Sequence, residues 1–193
     1  MKVGGTPKDA PRSAEAYSEA FRIIFEENKA LIYSLGFRLL GNREEAENLT
    51  QEVFLRAFRA YPRFREESKV STWLYRIAVN LINKELKGKR LKKLLSLDFL
   101  SKESGMTSPI EPAHPRHSPP SELENKEMKQ IVQRLIRSLP EKQRTAVTLQ
   151  FYEGLAYEEI ASAMEISYSS VESLLFRAKR NLEKRLAPYL KGS

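Results

Sequence analysis

Residues 157–180 read YEEIASAMEISYSSVESLLFRAKR, two short amphipathic runs with a turn between them. Ile160, Ala161 and Met164 recur at helical spacing and are expected on the inner face of the first run. Ala161 is small where two helices must approach closely, Ile166 plugs the turn, and Val171 and Leu175 close the core from the second run. This is the layout of a helix-turn-helix, whose second helix lies in the DNA major groove. An ordinary helical hairpin has the same periodicity, and the turn lacks its usual Gly, with Glu165 standing near that place. The outward face separates the two readings. At about 100° per residue, Val171, Leu174, Leu175, Ala178 and Leu182 share one arc. The other carries Ser169, Glu172, Ser173, Phe176, Arg177 and Arg180. A ring among Ser, Glu and Arg suits a base-reading surface, where it packs on a thymine methyl and Glu accepts from cytosine. Lys179, Lys184 and Arg185 are candidate phosphate contacts, and each alone reads equally well as solvated surface.

Upstream, Ser121 and Glu124 have capping-box spacing before a face of Met128, Ile131, Val132, Leu135, Ile136 and Leu139. Leu139-Pro140 breaks that helix, and three more are expected over about 141–152, 156–164 and 168–186. Before them, residues 101–121 read SKESGMTSPIEPAHPRHSPPS, too rich in Pro and Ser to bury a core. In residues 96–125, Asp98, Glu103, Glu111, Glu122 and Glu124 outnumber Lys102 and Arg116, so the linker is acidic. His114 and His117 lie within it, but no thiol or carboxylate cage accompanies them, and a loop is preferred to a metal site.

The N-terminal half is helical as well. Residues 1–13 lack periodicity and read as a flexible arm. From Ala14, Tyr17, Phe21, Ile24, Phe25, Asn28, Leu31, Ile32, Leu35 and Leu39 mark a first helix that Gly41-Asn42 ends. Asn42 can cap the next, which runs to about Tyr61 and stops at Pro62. That helix buries Ala46, Leu49, Thr50, Val53, Phe54, Ala57 and Phe58; Leu55 falls on the far side with Asn48, Gln51, Glu52 and Arg59. An apolar centre with a hydrogen-bonding rim reads either as a small protein interface or as plain surface.

Ser71 or Thr72 is expected to cap a third helix that ends near Gly88. It is apolar over most of its circumference, with a narrow stripe of Arg76, Asn80, Asn83, Lys84 and Lys87. Trp73 projects onto that stripe and also borders Ile77, so stacking on a base and core packing are both open for it. Arg and Lys for phosphates, Asn for base edges and aromatics for stacking make a single-strand binding surface. The preceding loop, YPRFREESKVS, sets Phe64 among Arg63, Arg65 and Lys69, an arrangement that fits holding an unstacked base.

The whole chain has 193 residues and a net charge of +8, a balance that points to a polyanionic partner. There are no cysteines, which excludes disulfides and thiolate metal sites. The sequence has no apolar run near the roughly 18 residues of a membrane span and no signal-peptide core, so membrane insertion is not expected and a cytoplasmic protein is. No paired carboxylates, Gly-rich phosphate loop or nucleophile with its base is evident, so neither an enzyme nor a cofactor is expected.

EEAENLTQEVFLRAFRAYPRF with STWLYRIAVNLINKEL, followed by LPEKQRTAVTLQFYEGLAYEEIASAMEISYSSVESLLFRAKRNL, resembles the extracytoplasmic-function sigma factors of bacterial RNA polymerase. The resemblance implies an all-α chain of two small helical domains: a sigma-two domain over 14–95, a flexible linker over 96–120, and a sigma-four domain over 121–193. It further implies that Asn48, Gln51, Glu52, Leu55 and Arg59 dock on the polymerase clamp helices, and that the flap is a second contact. Phe64, Arg65, Lys69, Ser71, Trp73, Arg76, Asn80, Asn83 and Lys84 would capture the melted minus-ten strand. Ser169, Ser170, Glu172, Ser173, Phe176, Arg177, Lys179 and Arg180 would read the minus-thirty-five element. The linker would thread into the polymerase cleft, and an anti-sigma partner is expected. Two departures stand out: Glu172 and Leu174 occupy places often basic in the family, and Asn48 replaces a common Asp. A free-standing helix-turn-helix regulator is the rival reading, but it leaves Phe64, Trp73 and the Asn stripe without use.

Overall fold

The computed structural model describes residues 14–65, 68–97 and 120–190. The N-terminal arm, most of the linker and both histidines lie outside the described residues. All regular structure within them is helical: α1 (Ala14–Leu40), α2 (Arg43–Ala60), a 3-10 turn (Tyr61–Arg63), α3 (Val70–Leu97), α4 (Pro120–Arg137), α5 (Glu141–Phe151), α6 (Tyr157–Met164) and α7 (Tyr168–Leu190). The all-α fold is the one expected, and the chain divides into two compact units.

In the first unit α1 packs against both α2 and α3, which also pack on each other. Gly41 ends α1 with φ +78°, a left-handed conformation that costs glycine little, and its N–H donates to the Phe37 carbonyl at 2.9 Å. Asn42 then caps α2, accepting from the Glu45 N–H at 3.1 Å. Ile32, Leu35, Ala46, Val53, Leu74 and Ile82 form the dry centre. Toward one end the core becomes aromatic: Phe21 meets Phe58 edge-on at 5.1 Å, and Phe25 meets Phe54 at 4.8 Å. The Tyr17 hydroxyl donates to the Phe58 carbonyl, and burial raises its pKa. Phe58, expected on the buried arc, is partly exposed because its ring packs at the rim of this cluster rather than inside it.

Two expectations about α3 are corrected. It begins at Val70, so Ser71 and Thr72 lie inside its first turn rather than at its cap. It also passes through Gly88 to Leu97. A helical Gly costs only about 1 kcal/mol, too little to stop a helix flanked by good formers. The extension leaves Leu91, Leu94 and Leu95 exposed among Lys89, Arg90, Lys92 and Lys93.

In the second unit α4, α5 and α7 pack together. α4 starts at Pro120, one residue before the expected capping Ser121, since Pro suits the first helical position; the side chains of that turn lie outside the described residues. Leu149, Ile160, Val171 and Ala178 are almost fully buried. Ala161, expected at the close approach of the two helices, is half-buried, whereas Ala163 is buried. α7 continues past the expected end, through Pro188, to Leu190.

Candidate nucleic-acid interfaces

The α6–α7 turn is built without glycine. Glu165 takes φ +54°, the left-handed region that Gly would fill at lower cost. The Ile166 N–H closes α6 by donating to the Ala161 carbonyl at 3.1 Å. Ser167 then starts α7: its hydroxyl lies 3.3 Å from the Ser170 N–H and 2.8 Å from the Ser170 hydroxyl. With Val171, Leu174, Leu175 and Ala178 turned inward, Ser169, Glu172, Ser173, Phe176, Arg177, Lys179 and Arg180 are exposed, and Ser170 is half-buried.

Phe176 is 62% exposed, and the Arg180 guanidinium lies 5.9 Å from its ring centre. Arg177 is drawn back along its helix, with Nε donating to the Ser173 carbonyl at 3.0 Å. Lys179 faces Glu183 at 3.8 Å in an exposed pair that adds little stability. Arg185, a candidate phosphate contact in the sequence, instead donates to the Ser138 carbonyl at 3.3 Å and to its hydroxyl, tying α7 to the end of α4. Desolvation raises the Tyr168 pKa, and the Glu172 and Glu158 carboxylates raise it further.

On α3, Arg76, Asn80 and Lys84 recur every fourth residue and are exposed on one face, with Asn83 half-buried beside them. Trp73 is only 7% exposed and stacks on Phe64, with 4.6 Å between ring centres and 30° between planes. Of the two readings left open for Trp73, packing is the one observed. A helical wheel assigns it the right arc but cannot record that the loop folds over it. Phe64 and Ser71 are half-buried; Arg65 and Lys69 are exposed; Glu66 and Glu67 lie outside the described residues.

On α2, Leu55 is 46% exposed, with Asn48, Gln51 and Arg59 exposed around it. Glu52 is paired with Arg56 at 2.6 Å, so its carboxylate on this rim already has a cationic neighbour. Sequence reasoning passed over two further features. Phe151 and Tyr152 are exposed at the end of α5, an apolar pair whose periodicity alone reads as core. Lys142, at the start of α5, lines a cleft with residues of α7, a neighbourhood that only the tertiary structure brings about.

The family model for sigma-70 region 2 matches residues 24–91, and that for sigma-70 region 4 matches residues 129–182. The RNA polymerase sigma-H factor of Pseudomonas aeruginosa is 33% identical over 172 residues, covering 89% of each chain. The ECF RNA polymerase sigma-E factor of Escherichia coli K12 is 33% identical over 178 residues, covering 90% of each. SigW of Bacillus subtilis, also an ECF RNA polymerase sigma factor, is 33% identical across 87% of this chain and 89% of its own. Among solved structures, the sigma factor RpoE from Bartonella quintana, crystallised with the anti-sigma factor NepR, superposes with a TM-score of 0.67 at 21% identity, over 88% of this chain and 98% of that one. CnrH, solved with the cytosolic domain of CnrY, gives 0.61 at 17% identity, over 91% and 94%. At these identities the structural likeness speaks for the fold.

Proposed function

This chain belongs to the ECF-type RNA polymerase sigma factors, carrying sigma-70 regions 2 and 4, and from that premise we propose how its two units divide the work. The chain binds core RNA polymerase and directs it to promoters. As in its relatives, which are initiation factors, the chemistry of RNA synthesis belongs to the polymerase. We assign docking to the Leu55-centred face of α2, which offers the clamp an apolar centre and a polar rim. The Arg76–Asn80–Lys84 row of α3, with Asn83 and the Phe64–Lys69 loop, contacts the melted minus-ten strand; Trp73 supports that loop from beneath. α7 reads the minus-thirty-five element. The partition into 14–95, an acidic linker over 96–120 and 121–193 is part of this proposal, as are a polymerase-cleft path for the linker, a flap contact for the second unit and action in the cytoplasm. No helix among the described residues is long and apolar enough to cross a membrane. An anti-sigma partner is proposed because a sigma factor of this fold, RpoE, was solved with one bound.

The observation that carries the reading is the exposed row Glu172, Ser173, Phe176, Arg177 and Arg180 on the second helix of a helix-turn-helix. The test is a selection of upstream elements by holoenzyme. Glu172→Arg should change the preferred base at one or two positions, worth about 1–3 kcal/mol each. Lys179→Ala should change yield alone. Identical sequence preferences in parent and Glu172→Arg would remove α7 as the reader.

A further inference from the structure

A cleft of about 310 Å³ opens between the start of α5 and the first turns of α7. Lys142 contributes from α5 and Arg177 from α7, with Ser169, Ser170, Ser173 and Leu174 completing most of the lining. None of the lining residues is acidic, so two cations share one concavity without a carboxylate between them. The hydroxyls are donors as well as acceptors, and Arg177 is held toward Ser173 by its Nε bond at 3.0 Å. Cations with hydroxyl donors around a small open hollow suit a singly charged tetrahedral oxyanion rather than a base edge.

The position narrows the choice. Ser173 and Arg177 belong both to this cleft and to the exposed row of α7, so whatever occupies the cleft borders whatever that row reads. We propose that the cleft receives one backbone phosphodiester of duplex DNA at the edge of the upstream element, with Lys142 as a phosphate contact supplied from outside the helix-turn-helix. This inference rests on the reading of α7 as the major-groove helix. It makes Lys142 an anchor that holds the strand without sensing its sequence.

The test uses holoenzyme assembled from core polymerase and the full chain, on promoter duplexes that each carry one neutral methylphosphonate. Lys142→Ala should lower the salt slope of binding by about one. Its deficit against the parent should widen about threefold as salt falls from roughly 200 to 50 mM. One methylphosphonate position should abolish the difference between parent and variant, Lys142→Arg should behave as the parent, and the selected sequence should not change. An unaltered salt slope, or no position at which the methylphosphonate equalises the two proteins, overturns the proposal. Glu172→Arg is run alongside: if it alters base preference while Lys142→Ala leaves the slope intact, the cleft assignment alone fails. If Glu172→Arg leaves the preference intact, the reading of α7 fails and takes this proposal with it.

Discussion

The rings of Phe64 and Trp73 stack at 4.6 Å, and the contact joins the loop after α2 to the first turn of α3. Phe64 is thereby held half-buried and Trp73 buried, beside a row of exposed Arg76, Asn80 and Lys84. A loop that must hold a base outside the duplex gains from such an anchor, because pre-ordering lowers the conformational cost of capture.

Trp73 is the sole tryptophan of the chain, so its emission reports this contact. Phe64→Ala should shift the emission to longer wavelength and raise acrylamide quenching while far-ultraviolet dichroism stays unchanged. The ring pair contributes about 0.5–1.5 kcal/mol beyond its buried area, and permanganate footprinting should show reduced strand opening with normal polymerase binding. Unchanged emission would mean the rings do not stack in solution.

Leu55→Asp with Gln51→Ala places a charge at the apolar centre of the α2 face. Affinity for core polymerase should fall by about tenfold or more, the scale of a modest interface hot spot, with helicity intact. A pull-down showing parental affinity would move the docking surface elsewhere.

At Gly36 a Cβ would stand 2.8 Å from Leu49 Cδ2 and 3.4 Å from the Ala46 Cα. Gly36→Ala gains about 1 kcal/mol of helix propensity but overpacks the α1–α2 seam, at a cost of about 1–3 kcal/mol. Net destabilisation of about 1 kcal/mol is expected in urea unfolding of the first unit. Adding Leu49→Ala should cost less in the Gly36→Ala background than in the parent, because the two changes share one space.

Periodicity made most of this fold legible. The 3–4 residue spacing of Phe21, Ile24, Asn28, Ile32, Leu35 and Leu39 is that of the buried face of α1, and Asn42 caps α2 as its side chain suggests. What the wheel leaves open has a physical reason: it assigns direction but not depth or cover. Trp73 shares an arc with Arg76 and is nonetheless covered by Phe64. Ala161 and Ala163 are equally small, and the spacing alone does not say that the second is the buried one. Gly88 looked like a stop because Gly commonly follows helix ends, yet no left-handed residue is present there and the helix continues. The exposed rows on α2, α3 and α7 were legible from the same wheels, whereas Lys142 was not, because α5 and α7 meet only through the fold.

Run-off transcription from a promoter library, with core RNA polymerase and this chain as the variable component, tests the central claim most directly. The account predicts transcripts that depend on the chain, start at defined sites, and share an upstream and a minus-ten element at fixed spacing. Binding of the chain to promoter duplex as a dimer without polymerase, together with no chain-dependent transcript from the library, would contradict it.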